Sequence, residues 1–357
     1  MSCTRLQMQV VEQVADSSKY YIEIRNDGRN LYDFLIQELE YFKTNANPSL
    51  EIYLDYSTES NYYFDKPGLG AIETNFFFVL HEILDKCEID PGKVHLSTGN
   101  LLVNTAYNNF IMQFQDLKPL KNVFFQDFWL KQTITMHTDY SENYGKCPKQ
   151  KYFCSLNGAS REHREMTYDY LHRHNLLDKG ICSFVWKGIS VDGLEDSAGY
   201  KHTVQPDDFY KIYDDTFYDL ITETNTGYLN LCPWFTDIFL TEKTWRSIYY
   251  KRPFLLIGNY QSLKYLKELG FKTFNNLLFD ESYDNESNHE IRINRVLQEN
   301  KRIIETYSLA DLQKIIMSSE MSEILQHNYE MINKLAKQHS FTVSTHSNNK
   351  SAQNQAI

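Results

Sequence analysis

Two stretches in the second half of the sequence combine a turn with cationic groups that suit a phosphate. Residues 155–164 read Ser-Leu-Asn-Gly-Ala-Ser-Arg-Glu-His-Arg, which predicts a strand, a glycine turn and then a helix. Backbone N–H groups and the positive end of the helix dipole meet at such a junction and bind anions. Arg161 and Arg164 lie one helical turn apart near the helix start, where the dipole disfavours cations. A bound pyrophosphate would explain that placement, and Asn157 in the turn is a further candidate contact.

The second stretch, with the strand that precedes it, adds acids and a lysine. A strand ending near residue 223 would place Glu223 and Asn225 beyond its carboxyl end, where a carboxylate can accept hydrogen bonds from ribose or sugar hydroxyls. Thr241 is predicted to be the N-cap of the following helix, so Glu242 and Lys243 would occupy its first turn. The dipole favours Glu242 there and disfavours Lys243, which again indicates a bound anion.

Ordinary structural roles are open to the same residues. A basic first turn is often simply solvated, an acid beyond a strand is often only a polar loop residue, and a glutamate in a first helical turn needs no ligand. Trp245, next to these groups, is expected to be a core aromatic residue.

The ordered stretches resemble the donor-binding region of the α-1,3-fucosyltransferases, glycosyltransferase family 10. In residues 239–258 a Thr-Glu-Lys at a helix start precedes an apolar strand that ends near a glycine, as in that family. The Leu-Ile-Thr-Glu-Thr-Asn strand is similar to the family's Phe-Glu-Asn-Ser strand, with Glu223 in the place of the acid. Arg164 matches the family's arginine by its spacing to the Tyr-Asp pair at 168–169. The resemblance covers about residues 150–275.

The resemblance implies a GT-B fold and an inverting, metal-independent transfer of a sugar from a nucleotide-sugar donor. It also implies that Arg164, Glu242 and Lys243 contact the nucleotide and phosphates of that donor. The chain departs from the family in an insert at residues 227–237 and in Thr224, which stands where the family has Asn. The donor is therefore expected to be GDP-linked or UDP-linked, with no further cofactor and no metal.

Inverting transfer needs a general base that takes the proton of the acceptor hydroxyl. Glu59, in a tyrosine-rich loop just beyond a predicted strand, is the predicted base, and the alternative is a solvent-facing loop acid. Asp55 is less suited because it lies inside the strand. The turn at residues 97–100 is expected to shape the acceptor site. Reserve candidates on later loops are Asp127, His137 and Asp139.

Strands alternate with helices along most of the 357 residues, a pattern typical of parallel sheets covered by helices. The length favours two domains. We expect an α/β fold of the GT-B kind, with two Rossmann-like domains facing a central cleft. The predicted divisions are an acceptor-side domain at 1–145, a donor-binding domain with C-terminal helices at 146–339, and a disordered, polar tail at 340–357. The pattern at 309–338 predicts one long helix.

The composition narrows the choice of partner and compartment. A net charge of −11 disfavours nucleic acid and anionic lipid as partners. The six cysteines lack the close pairing of a zinc site or a disulfide framework, which favours buried free thiols. No apolar run is long enough to span a membrane or to serve as a signal peptide, so a cytoplasmic location is expected.

Several functions remain open from the sequence. The first is transfer to a glycan or another small hydroxyl acceptor. The alternatives are a DNA glycosyltransferase of the bacteriophage type acting on hydroxymethylated bases, a non-catalytic nucleotide-sugar binding module, and a phosphorylase or epimerase. The DNA alternative would gain support from a basic groove formed by Lys118, Lys121, Lys131, Lys146, Lys149 and Lys151.

Overall fold

The computed structural model describes residues 19–24, 31–47, 49–58, 76–136, 149–191, 212–226 and 237–338. The predictions that fall outside these ranges concern Glu59, His137, Asp139, Lys146, the thiols of Cys3, Cys147 and Cys232, the boundary at 145/146 and the tail at 340–357.

The first sheet is parallel, and its strands follow one another in chain order. It consists of β1 (Lys19–Glu23), β2 (Glu51–Tyr56), β3 (Val94–Thr98) and β4 (Asn122–Phe125). The helices between its strands are α1 (Leu31–Asn45), α2 (Phe76–Lys86) and α3 (Val103–Gln113). Alternate residues of β2 are buried, as expected of a strand with one face on a core.

The second sheet is also parallel, but its strand order reverses. Its order is β6 (Gly180–Phe184), β5 (Lys151–Asn157), β7 (Thr216–Thr222) and β8 (Phe254–Ile257). The chain runs outward from β5 to β6 and then returns to place β7 on the other side of β5. In open parallel sheets, ligands bind at the carboxyl ends of the strands where such a reversal occurs. A ligand site is therefore expected where the carboxyl ends of β5 and β7 meet, a region called the β5–β7 edge below.

Helices cover both faces of the second sheet. They are α5 (Glu162–Arg173), α6 (Glu242–Tyr249), α7 (Ser262–Glu268), α8 (His289–Thr306), α9 (Leu309–Ile316) and α10 (Ser319–Gln338). Tyr218 donates its hydroxyl to Asn300 of α8, whereas the next residue, Asp219, accepts from Ser247 of α6. Adjacent residues of a strand point to opposite faces, so α8 and α6 lie on opposite sides of the sheet. Helix α5 packs against α8 and belongs to its layer.

A buried ion pair fastens α6 and the β7–β8 region together. Arg252 is fully buried and donates to the Asp219 carboxylate at 2.8 Å, to two backbone carbonyls and to the hydroxyl of Thr216. The same carboxylate accepts from Ser247 of α6 at 2.5 Å. Because its partners are hydrogen-bonded as well as charged, this pair belongs to the kind that is costly to break.

Two hydrophobic cores correspond to the two sheets. One contains buried residues between Ile22 and Leu120, and the other contains Leu130 and residues from Phe153 to Ile332. Helix α4 (Phe128–Met136) follows β4 in the chain but packs against α6 and α10. The two halves also meet through Leu101, whose N–H donates to Ile238 O at 2.9 Å, and through Asn100, whose side chain accepts from Ile238 N at 3.1 Å.

The α/β class and the two parallel sheets predicted from the sequence are confirmed, while the finer GT-B assignment stays a prediction. The long helix predicted at 309–338 is wrong, because it is divided into α9 and α10. Ser318 accepts a hydrogen bond from the N–H of Met321 at 3.2 Å and so starts the second helix. The buried free thiols are confirmed for Cys87, Cys154 and Cys182. No helix among the described residues is both long and apolar enough to cross a membrane.

Candidate anion-binding site

Two helices begin at the β5–β7 edge of the second sheet. A short turn leads from β5 into α5, whose N-cap residue is Arg161 in an extended conformation. Thr241 is the N-cap residue of α6, in the position predicted from the sequence, and Glu242 and Lys243 follow in its first turn. Glu223 comes directly after β7 and contacts both helix starts. The sequence motifs are thus brought together at one edge.

Arg164 is a buried cation without a carboxylate partner. Arg164 is only 5% exposed, and its guanidinium donates to the carbonyls of Ala159 at 3.0 Å and Glu223 at 3.4 Å. Its Nε has no hydrogen-bond partner in the part of the chain that the structure describes. Among the described residues, no carboxylate oxygen lies within ion-pairing distance of the guanidinium. Burial and the neighbouring Arg161 lower the pKa of Arg164 to about 10, so it remains charged at neutral pH.

His163, which the sequence reasoning did not single out, lies beside Arg164 and is neutral. Its Nε2 lies 2.7 Å from the carbonyl oxygen of Glu223, and since a carbonyl only accepts, Nε2 carries the proton. Burial and the charge of Arg164 lower the pKa of His163 to about 3. His163 therefore contributes a hydrogen bond to this edge and no charge.

Glu223 is fully buried, and its carboxylate is surrounded by protein donors. It accepts from the N–H and hydroxyl of Thr241 at 3.0 and 2.5 Å and from the hydroxyl of Thr244 at 2.6 Å. The N–H of Thr224 donates to it at 3.2 Å. Contact between this carboxylate and a ligand hydroxyl stays a prediction.

The first turn of α6 holds a half-buried lysine. Lys243 Nζ donates to Glu242 Oε1 at 2.8 Å and to the hydroxyls of Thr241 and Thr224 at 3.1 and 3.5 Å. The Thr241 hydroxyl makes no capping bond to its own helix; it donates to Glu223, and its oxygen accepts from Lys243 Nζ. Because α6 and α5 lie on opposite sides of the sheet, the charge of Lys243 lies on the opposite layer from that of Arg164.

The two predicted asparagines differ in their surroundings. Asn157 is almost fully buried, donates to Ser155 at 3.1 Å and accepts from the hydroxyl of Thr222, so it ties β5 to β7. Its N–H donates to the hydroxyl of Ser183 in β6. Asn225 lies two residues beyond Glu223 and is partly buried. Contacts of either side chain to a ligand stay predictions.

Arg292 supports this edge from α8 and was not found from the sequence. It is buried and donates to the carbonyls of Thr226 at 2.6 Å, Glu286 at 2.8 Å and Gly258 at 3.2 Å. These contacts hold the chain segments that leave β7 and β8. No local pattern marks it, since an arginine in an amphipathic helix is ordinarily a surface residue.

A small polar cavity lies between α6 and the sheet. Its volume is about 20 Å³, enough for one water molecule and too small for a nucleotide. The polar groups that line it are Asp219, Thr222, Lys243, Arg246 and Ser247.

Asp127 is the reserve base that lies within the described ranges. It accepts from the N–H of Leu130 at 2.8 Å and so caps α4. The residue is 7% exposed, and burial raises the pKa of its carboxyl to about 7, assisted by the charge of Glu223. Asp55, by contrast, accepts from Ser57 and Ser97 within the first sheet.

Four of the lysines proposed for a basic groove are engaged elsewhere. Lys118 pairs with Asp90 at 2.7 Å, and Lys121 pairs with Glu51. Lys149 and Lys151 donate to backbone carbonyls at 2.6 and 2.5 Å. Lys121 immediately precedes β4 and Lys149 lies two residues before β5, so both are near the amino ends of their strands. These four lysines do not line the β5–β7 edge.

One group of potential metal ligands occurs among the described residues. Ligand atoms of Glu162, His289 and Glu290 lie within 4.8 Å of one another. Both acids are in first turns of helices, where the dipole favours a carboxylate without any metal. The grouping therefore carries no metal assignment.

Searches of the chain against family models, curated proteins and solved structures found no match.

Proposed function

We propose that the protein is a glycosyltransferase that takes a sugar from a GDP- or UDP-linked donor and transfers it, with inversion, to an acceptor hydroxyl. The observation that carries the proposal is Arg164, a buried and charged guanidinium with an unpartnered Nε. A buried charge with no carboxylate in direct contact among the described residues is costly, and a bound anion would compensate for it. It lies at the strand-order reversal, where parallel sheets bind ligands.

The arrangement suits a diphosphate leaving group. Arg164 and Lys243 approach the edge from helices on opposite sides of the sheet, so two cations would flank the two phosphates. The N-terminal ends of α5 and α6 add positive potential at the same edge. Charge stabilisation by fixed donors of this kind lowers the barrier to departure of the nucleotide, and it needs no metal ion.

The acceptor hydroxyl must lose a proton as the new bond forms. Glu59 remains our proposed base, and Asp127 is the alternative. A carboxyl with a pKa of about 7 is well matched to proton transfer at neutral pH. The acceptor we propose is a glycan or another small hydroxyl compound. A DNA acceptor is less favoured, because Lys118 and Lys121 are paired with acids.

A thermal-shift panel tests the proposal. Purified full-length protein is heated with GDP, UDP, CMP and their sugars, each with and without EDTA. A ligand present at about a hundred times its dissociation constant should stabilise the protein by about 2.7 kcal/mol. We expect GDP or UDP to raise the Tm equally with and without EDTA, and CMP to have no effect. If no nucleotide changes the Tm, the proposal is wrong.

Catalysis is separated from mere binding by a second assay. Incubation of the donor sugar with the protein and a panel of hydroxyl acceptors should release the nucleoside diphosphate. If the donor binds but no acceptor in the panel leads to release of the nucleoside diphosphate, the non-catalytic binding module is favoured.

A further inference from the structure

Glu223 joins the two helices that carry the cations of the proposed site. Among the described residues, its carboxylate accepts from Thr241 and Thr244 at the start of α6 and from the N–H of Thr224. Its backbone carbonyl accepts from His163 at 2.7 Å and from Arg164 at 3.4 Å, both in α5. Its N–H donates to Ile257 of β8 at 2.9 Å. One residue thus contacts α5, α6 and β8.

We propose that Glu223 is a positioning residue, which fixes Lys243 relative to Arg164 and does not itself touch the ligand. This inference rests on the proposed anion site and assigns Glu223 a role different from the hydroxyl contact expected from the sequence. Four protein donors already occupy the carboxylate, and a carboxylate has about four lone-pair sites. The carboxylate is fully buried, and a ribose hydroxyl would have to displace one of these four donors to reach it.

The carboxylate holds the start of α6 in place of an ordinary cap. The hydroxyls of Thr241 and Thr244 both donate to Glu223. Lys243 lies between these two threonines in the sequence, and its Nζ donates to the Thr241 hydroxyl. A shift of the first turn of α6 would therefore carry Lys243 away from the edge. On the other layer, the Glu223 carbonyl holds Arg164 and His163 at the start of α5.

Hydrogen exchange in the absence of ligand tests the positioning role. In Glu223→Ala, the first turn of α6 should exchange faster than in the wild type. Glu281→Ala is the control. Glu281 is also a buried glutamate, and it accepts from the N–H of Phe274 and the hydroxyl of Thr273, which lie outside α6. Glu281→Ala should leave exchange at α6 unchanged. Equal protection of α6 in wild type and Glu223→Ala would overturn the proposal.

Binding of two probes separates positioning from contact. If Glu223 positions the cations, Glu223→Ala should weaken the binding of inorganic pyrophosphate and the binding of GDP or UDP by the same factor, about tenfold. A ribose contact would weaken only the nucleotides, and simple removal of a nearby negative charge would tighten both; either result would overturn the proposal. Glu223→Gln should recover most of the affinity, because its amide oxygen still accepts from the Thr241 N–H and the hydroxyls can reverse.

The two proposals fail in distinguishable ways. If the wild type binds neither pyrophosphate nor a nucleotide, the proposed function is wrong, whereas the exchange experiment still decides whether Glu223 positions α6.

Discussion

Two buried arginines with the same lowered pKa of about 10 have opposite environments. Arg164 has two carbonyl contacts and an unpartnered Nε, while every nitrogen of Arg292 donates to a carbonyl. A charge kept buried with incomplete pairing is poorly explained by stability. This difference supports the proposed ligand role of Arg164, whereas the contacts of Arg292 are those of a structural residue.

The difference predicts opposite results for the same substitution. Arg164→Met should change the free energy of unfolding by no more than about 1 kcal/mol, because the cost of burying an underpaired charge disappears with its hydrogen bonds. Arg292→Met should destabilise by about 3 kcal/mol, since several buried carbonyls lose their donor. Urea denaturation of both variants measures this. A loss for Arg164→Met as large as that for Arg292→Met would contradict the ligand role.

Asp127 predicts a pH dependence of stability. Burial raises the pKa of its carboxyl from 3.8 to about 7 in the folded protein. Between these values the folded state holds a proton that the unfolded state has released, so stability falls as the pH rises through this window. Asp127→Asn keeps an effective cap on α4 but cannot ionise.

Urea denaturation at pH 5 and pH 8 provides the measurement. The wild type should lose more stability than Asp127→Asn between the two pH values, and the variant should be the more stable protein at pH 8. The difference between the proteins removes the contributions of other carboxyls with raised pKa values, such as Glu281 and Asp284. Parallel pH profiles would show that Asp127 is not protonated in the folded state.

At the scale of elements, the sequence predicts what depends on local pattern. The strands of both sheets and the start of α6 at Thr241 follow from alternation, apolar runs and capping residues. Helix α4 was missed because its sequence is rich in β-branched and aromatic residues, and it is stabilised by packing on α6 and α10 from the other half. Tertiary contacts of that kind leave no local signal.

A pair of buried threonines tests the hydrogen bonds assigned in α6 and α4. Thr244 of α6 is fully buried and donates to Glu223, while the buried hydroxyl of Thr133 in α4 has no partner within the described ranges. Thr244→Val should destabilise by about 2 kcal/mol because it removes a donor from a buried carboxylate. Thr133→Val should be neutral or stabilising. Chemical denaturation of the two isosteric variants checks both, and equal effects would contradict the assigned hydrogen bonds.

At the scale of the whole molecule, the position of the candidate site could be predicted better than its contacts. The sequence places Asn157 in a turn after a strand, Glu223 at a strand end and Lys243 in the first turn of a helix, and the strand reversal brings them to one edge. It could not show that Asn157 and Glu223 are enclosed by protein donors, or that Arg292 reaches the same edge from α8. Those facts depend on which side chains face each other across layers.

The two halves of the molecule are linked at Asn100 and Ile238, and α4 crosses from one to the other. A protein with a net charge of −11 repels anions on average. Binding of a nucleoside diphosphate therefore has to depend on local cations at the β5–β7 edge, chiefly Arg164 and Lys243.

Calorimetric titration of the full chain with GDP and UDP tests this central claim most directly. The wild type should bind one of the two nucleotides with one site per chain, and Arg164→Met, folded to the same extent, should bind it at least about tenfold more weakly. Equal affinity of the wild type and Arg164→Met, or no binding of either nucleotide at millimolar concentration, would contradict the account.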